Sequence, residues 1–147
     1  MYLKIEKETN GDHWAQYMLG VCYDHGIGTD QDDNKAFEFY IKSAEQGNSA
    51  AMYNVGFCYE NGEGCDQHFT KSFEWLKKSA KLGHSDAMVN VGNSYEYGDK
   101  VTKDLNKAKE WFAKAASQGF ELAQDQLDRI NSGWSKLYCI RWRWRRR

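Results

Sequence analysis

In the stretch "LGVCYDHGIG", residues 19–28, a cysteine, an aspartate and a histidine fall within four positions as Cys22, Asp24 and His25. These are the side-chain types of a thiol nucleophile, its general base and the carboxylate that orients the base. Gly20, Gly26 and Gly28 beside them could shape a backbone pocket. Two further groupings suggest chemistry. Cys58, Cys65 and His68 are residue types that ligate zinc. The C-terminal "WSKLYCIRWRWRRR" sets arginine beside tryptophan, a pattern that can neutralise phosphate and stack on bases, or sit at an anionic bilayer surface.

The elements that must position these residues come from a repeat. Three blocks of 36 residues align without a gap from Gly11, Gly47 and Gly83 (11–46, 47–82 and 83–118), and a partial fourth, 119–132, begins at Gly119 as "GFELAQDQLDRI". Recurring positions include Ala15, Ala51, Ala87 and Ala123; Gly20, Gly56 and Gly92; Tyr23, Tyr59 and Tyr95; Gly26, Gly62 and Gly98. The first block resolves into a helix over about 13–25, with Ala15, Leu19 and Tyr23 on one stripe, stopped by Gly26 as a left-handed cap. A second helix follows over about 33–46, with Ala36, Phe37, Tyr40, Ile41 and Ala44 on its apolar side. A mid-helix glycine costs roughly 1 kcal/mol against alanine. Its recurrence at Gly20, Gly56 and Gly92 predicts close approach of the paired helix, with Tyr40, Leu76 and Phe112 filling the space beside it. Neither helix has enough apolar surface to stand alone, so the pairs must stack. The expected fold is all-α: an α/α solenoid of three complete helix-pair repeats plus a C-terminal capping helix.

"AQYMLGVCYDHGIG", "AMYNVGFCYENGEG" and "AMVNVGNSYEYG", followed by "KAFEFYIKSAEQG", "KSFEWLKKSAKLG" and "KAKEWFAKAASQG", resemble the Sel-one-like repeat family, a relative of the tetratricopeptide repeat. The resemblance covers about residues 11–131; the third block departs from it at Lys100, where the second loop glycine is missing. It implies a protein-interaction scaffold with no catalytic site and no cofactor. Some family members are secreted, disulfide-bonded proteins described as penicillin-binding or β-lactamase-like, with cysteine pairs in every repeat. The corresponding "SAEQGNSAAM" and "SAKLGHSDAM" have none, so that activity is not carried over.

The repeat also weakens the chemical groupings. Cys22 becomes Cys58 and then Ser94, and His25 becomes Asn61 and Tyr97. Neighbours on a helix face stand three or four apart, so Asp24, two from Cys22 and one from His25, is turned from both and residues 22, 24 and 25 do not share one face. Spacings of seven and three at Cys58, Cys65 and His68 match no established zinc pattern, and no metal site is expected. Four cysteines without a secretory signal are expected as reduced thiols. No run of about 18 apolar residues is present, the N-terminus carries charges throughout, and the cytoplasm is the expected location. Residues 1–10, "MYLKIEKETN", read as a clipped second helix, so the three blocks are either a whole array or part of a longer one.

Of the 20 basic residues six lie in 133–147, at Lys136, Arg141, Arg143, Arg145, Arg146 and Arg147, with no acid among them. The rest of the chain holds 14 basic and 21 acidic residues, so body and tail are electrostatically opposite. The solenoid is expected over 1–132 and a flexible or loosely docked tail, with Trp142 and Trp144, over 133–147. In the tetratricopeptide arrangement the first helix of each pair lines the concave groove. Carried over, this places Trp14, Tyr17, Val21, Asp24 and His25 there, then Tyr53, Phe57, Glu60 and Asn61, then Val89, Asn93, Glu96 and Tyr97. A row of carboxylates, Asp24, Glu60 and Glu96, flanked by aromatic rings favours a basic, aromatic partner protein or peptide. The chain's own tail is such a segment and could dock intramolecularly or on a neighbour. The alternative is nucleic-acid or anionic-membrane association through the tail.

Overall fold

The computed structural model describes residues 11–132, and these hold seven α-helices and no strand. They are α1 (His13–His25), α2 (Asp33–Glu45), α3 (Ser49–Asn61), α4 (Phe69–Lys81), α5 (Ser85–Tyr97), α6 (Leu105–Ser117) and α7 (Glu121–Asn131). Two compact units are present, one ending at Ala87 and one beginning at Met88. The first contains the pairs α1–α2 and α3–α4 and the start of α5; the second contains the rest of α5, α6 and α7. The tail residues Lys136, Arg141, Trp142, Arg143, Trp144, Arg145, Arg146 and Arg147 and the N-terminal "MYLKIEKETN" lie outside the described residues.

Helix starts follow side-chain chemistry. Asp12, Asp32, Asn48 and Asp104 each accept a backbone N–H of the first turn they precede. Stops follow glycine: Gly26 and Gly62 cap α1 and α3 at φ 64° and 73°, and Gly98 follows α5 at φ 70°. Every loop inside a pair closes in the same way. The N–H of Asp32, His68 and Asp104 donates to the carbonyl of Tyr23, Tyr59 and Tyr95 at 2.9, 2.7 and 2.8 Å. The missing glycine at Lys100 does not prevent this closure. Gly28 and Gly64 adopt positive φ and no non-glycine residue does, so the third loop takes a different local path to the same bond.

The glycine positions meet the side chains expected of them. A Cβ built on Gly20 would stand 2.6 Å from a Tyr40 ring carbon, on Gly56 2.7 Å from Leu76, and on Gly92 2.6 Å from Phe112. Tyr40, Leu76 and Phe112 are all fully buried, each contributing on the order of 1.5–3 kcal/mol. Gly64 answers a second constraint: its Cβ would strike the Asp33 carbonyl, where the loop of one repeat meets the second helix of the repeat before it. The expected core stripe needs one adjustment. Leu19 and Tyr23 are buried, but Ala15 is only half-buried and Gln16 is buried instead, because its side-chain carbonyl accepts from Gln46 Nε2 at 2.7 Å. In α2, Phe39 and Ser43 join Ala36, Tyr40 and Ala44 in the core, while Phe37 and Ile41 are half-buried. Tyr23, Tyr59 and Tyr95 each lie under a second-helix lysine, Lys35, Lys71 and Lys107, at 5.1–5.4 Å from the ring centroid.

Helix propensity and packing predict opposite signs for Gly20→Ala and Gly92→Ala. Propensity alone would add up to about 1 kcal/mol. Collision with a buried ring is expected to remove about 1–3 kcal/mol from the free energy of unfolding, as read from denaturant midpoints.

Candidate functional site

The Cys-His-Asp grouping is not assembled for chemistry. Asp24 Oδ2 accepts the Tyr40 hydroxyl at 2.9 Å, linking α1 to its paired helix. His25 Nδ1 lies 3.2 Å from the Val21 carbonyl of its own helix and 3.7 Å from Asp24. Cys22 is a half-buried free thiol. Burial pushes the Cys58 thiol up to about 12 and raises Cys65 as well, so both are neutral packing groups at physiological pH. Among the described residues no group of three or more His, Cys, Asp or Glu side chains could hold a metal ion.

In the first unit the first-helix residues form two small aromatic clusters. On α1, Trp14 is 56% exposed and meets Tyr17 edge-on at 5.9 Å between centroids, and Tyr17 lies 6.0 Å from the buried Tyr40. On α3, Tyr53 contacts Phe57 at 5.0 Å and stacks on His84 at 4.7 Å, and Phe57 is 37% exposed. Asp24 and Glu60 are half-buried, and Asn61 and His25 are exposed. The acidic residues differ in their surroundings. Asp24 is oriented by Tyr40, whose hydroxyl burial and the adjacent carboxylate hold protonated well above the usual range.

In the second unit the third carboxylate departs from expectation. Glu96 is buried, and its Oε1 accepts from Arg129 Nη2 on α7 at 2.5 Å. Arg129 is itself steadied by Gln126 Oε1, which accepts from Nε at 3.1 Å and from Nη2 at 2.7 Å. The expected row of open carboxylates is therefore corrected at this position: Glu96 already holds a cation. Val89 is buried rather than surface-lining, while Asn93 is half-buried and Tyr97 exposed. The glycine of α1, α3 and α5 becomes Asp128 in the 36-residue register, so a second helix cannot approach α7 as Tyr40 approaches Gly20.

Two contributors were not picked out from residue types. Arg129 sits one repeat beyond Asn93 and Phe57, and the register alone would have placed it on the helix next to Glu96. His84 occupies the N-cap position of Asp12 and Asn48; its Nδ1 accepts the Ala87 N–H at 3.4 Å while its ring stacks on Tyr53.

The Sel1 repeat model matches residues 15–48, 49–84 and 85–120, the same three repeats in a slightly shifted phase. The chain belongs to the Sel1 repeat family. A Sel1 repeat protein from Oxalobacter formigenes is 35% identical with a TM-score of 0.79, over 86% of this chain and 96% of that one. The c5321 protein, described as a protective antigen present in uropathogenic Escherichia coli strains and displaying an SLR fold, is also 35% identical with a TM-score of 0.79. That match covers 83% of this chain and 26% of c5321. Helicobacter pylori cysteine rich protein B shares the fold at 22% identity and a TM-score of 0.68, over 84% of this chain and 95% of that one. None of the curated proteins matches the chain. Sel1 repeats generally serve as protein–protein interaction modules, and the fold class is that of an all-α solenoid.

Breaking the Glu96–Arg129 pair from its two sides is expected to give unequal losses. Arg129→Ala leaves a buried carboxylate without its cation and should lower stability by about 1–3 kcal/mol, less than for a fully buried pair because the guanidinium is partly exposed. Glu96→Gln, which removes the buried charge together with the pair, should lower it less, as measured by urea unfolding.

Burial lowers the affinity of His84 for a proton, opposed by nearby Asp86, so the unfolded chain protonates first as the pH falls below about 6.5. Stability is then fully present above that pH and declines below it, by about 0.5–2 kcal/mol if the cap is lost. His84→Asn, which installs the cap used at Asn48, should shrink the difference in unfolding free energy between pH 7.5 and pH 5.

Proposed function

We propose that this protein is an interaction module whose first-helix residues receive a basic, aromatic segment of a partner protein. The observation that carries this reading is the pairing of exposed rings, Trp14 on α1 and Phe57 on α3, with the partly exposed carboxylate of Asp24 in the same unit. Exposed tryptophan and phenylalanine on a rigid scaffold supply contact area at little entropic cost to the scaffold. The helix positions are fixed by the buried contacts of Gly20 with Tyr40 and Gly56 with Leu76, so the partner segment bears most of the ordering. Glu60 and Asn61 belong to the same reading as further contact residues, with no cofactor and no reaction. We place its work in the cytoplasm.

Peptides of basic aromatic composition should bind the full-length protein more tightly than acidic peptides of equal length, measured by fluorescence anisotropy at moderate salt. Trp14→Ala and Phe57→Ala should each weaken the basic peptide by about tenfold, and Glu60→Lys should weaken it further at low salt than at high salt. Equal binding of the two peptide classes, unaffected by these substitutions, would overturn the proposal.

A further inference from the structure

We infer that Asp24 is a recognition site for one arginine of the partner segment, in the mode that Arg129 displays on Glu96. This rests on the interaction-module reading above and names the chemistry of that surface. Asp24 and Glu96 are two repeats apart in the same register. At Glu96 the neighbouring helix offers an arginine, and the carboxylate takes it. At Asp24 the residue in the register of Arg129 is Phe57 on α3. The chain therefore supplies a ring where its second unit supplies a guanidinium, and Asp24 keeps 35% of its side-chain surface exposed.

Three features fit a guanidinium rather than an ammonium. Asp24 is held in place from within by the Tyr40 hydroxyl at 2.9 Å, so its carboxylate is a fixed acceptor. A planar, forked donor matches such an acceptor and can lie against a ring such as Phe57, whereas lysine is a compact point charge that gains less from either. The neighbouring His25 is turned to the Val21 carbonyl at 3.2 Å and lies 3.7 Å from Asp24, so the strong hydrogen bond to the carboxylate is that of Tyr40.

The same helix sets a spacing. Tyr17 precedes Asp24 by seven residues, two turns on the same face and about 10 Å along the axis. Tyr17 carries the exposed Trp14 edge-on. An extended segment covers about 10 Å in three residues. The fitting occupant is thus a partner's extended segment with an aromatic residue three positions from an arginine.

The test uses a fluorescein-labelled peptide built on Trp-Ser-Ser-Arg-Ser-Ser-Trp, which presents the spacing in both chain directions, and a second peptide with lysine in place of the arginine. Both are titrated into the full-length protein, its Asp24→Asn variant, and a full-length variant with Arg141, Arg143 and Arg145 changed to Gln. Asp24→Asn should weaken the arginine peptide at least tenfold, and the lysine peptide should bind the unaltered protein at least fivefold more weakly than the arginine peptide. Circular dichroism and the unfolding midpoint verify that Asp24→Asn is folded; should it not be, Phe57→Ala, which should reduce the arginine preference below twofold, takes its place. Equal binding of the arginine and lysine peptides, or binding indifferent to Asp24→Asn, overturns the arginine site while leaving the interaction module standing. No binding of either peptide to any of the three proteins, with none by the broader basic aromatic set, overturns both. Binding that appears only in the variant of the tail arginines makes the chain's own tail the occupant and overturns the assignment to a partner.

Discussion

A Cβ at Gly20, Gly56 or Gly92 would stand 2.6–2.7 Å from a carbon of Tyr40, Leu76 or Phe112, a separation that real side chains do not tolerate. Each helix pair is therefore held at a distance only glycine permits, and the large residue opposite is sealed from water. Other features follow from that constraint. The Tyr40 ring fills the space beside Gly20 while its hydroxyl reaches Asp24 near the far end of α1. Where the opposing residue is Leu76 or Phe112 and has no hydroxyl, the acidic residue is the longer glutamate, and Glu96 turns to α7 instead. At α7 the glycine is gone and Asp128 stands in its place, which removes the geometry for another close pair.

The fold was legible in the sequence because its determinants repeat. A glycine that is costly once is ambiguous, but at three positions 36 residues apart it requires a compensating contact, and the residues expected to provide it do so. Boundaries were equally readable, since aspartate or asparagine caps and left-handed glycines are local signals with local causes. Gln16 shows the limit of periodicity: its burial depends on a hydrogen bond from Gln46, 30 residues away, which no helical pattern records.

The place of the aromatic and acidic residues on the first helices was legible, and their electrostatic surroundings less so. Helical register placed Trp14, Tyr53 and Phe57 on the first helices, but whether a carboxylate there is open depends on what stands opposite it. Asp24 is met by a tyrosine hydroxyl from its own pair and Glu96 by an arginine from the next helix, two outcomes at one repeat position. The difference is chemically informative, because it separates a carboxylate already neutralised within the chain from one that is oriented and still partly exposed. The residues that first suggested catalysis are not kept through all three repeats, Cys22 giving way to Ser94 and His25 to Asn61 and Tyr97, whereas the acidic position persists.

The central claim is that one residue, Tyr40, links the packing constraint to recognition, its ring serving the helix pair and its hydroxyl serving Asp24. Tyr40→Phe separates the two, because the ring against Gly20 is kept while the hydroxyl and its hydrogen bonds to Asp24 and Asn54 are lost. Affinity for an arginine-bearing peptide, measured by isothermal titration calorimetry beside an unfolding curve, should fall at least threefold while stability falls by about 1–2 kcal/mol and the helical spectrum is unchanged. Unchanged affinity in a folded Tyr40→Phe protein would contradict the account.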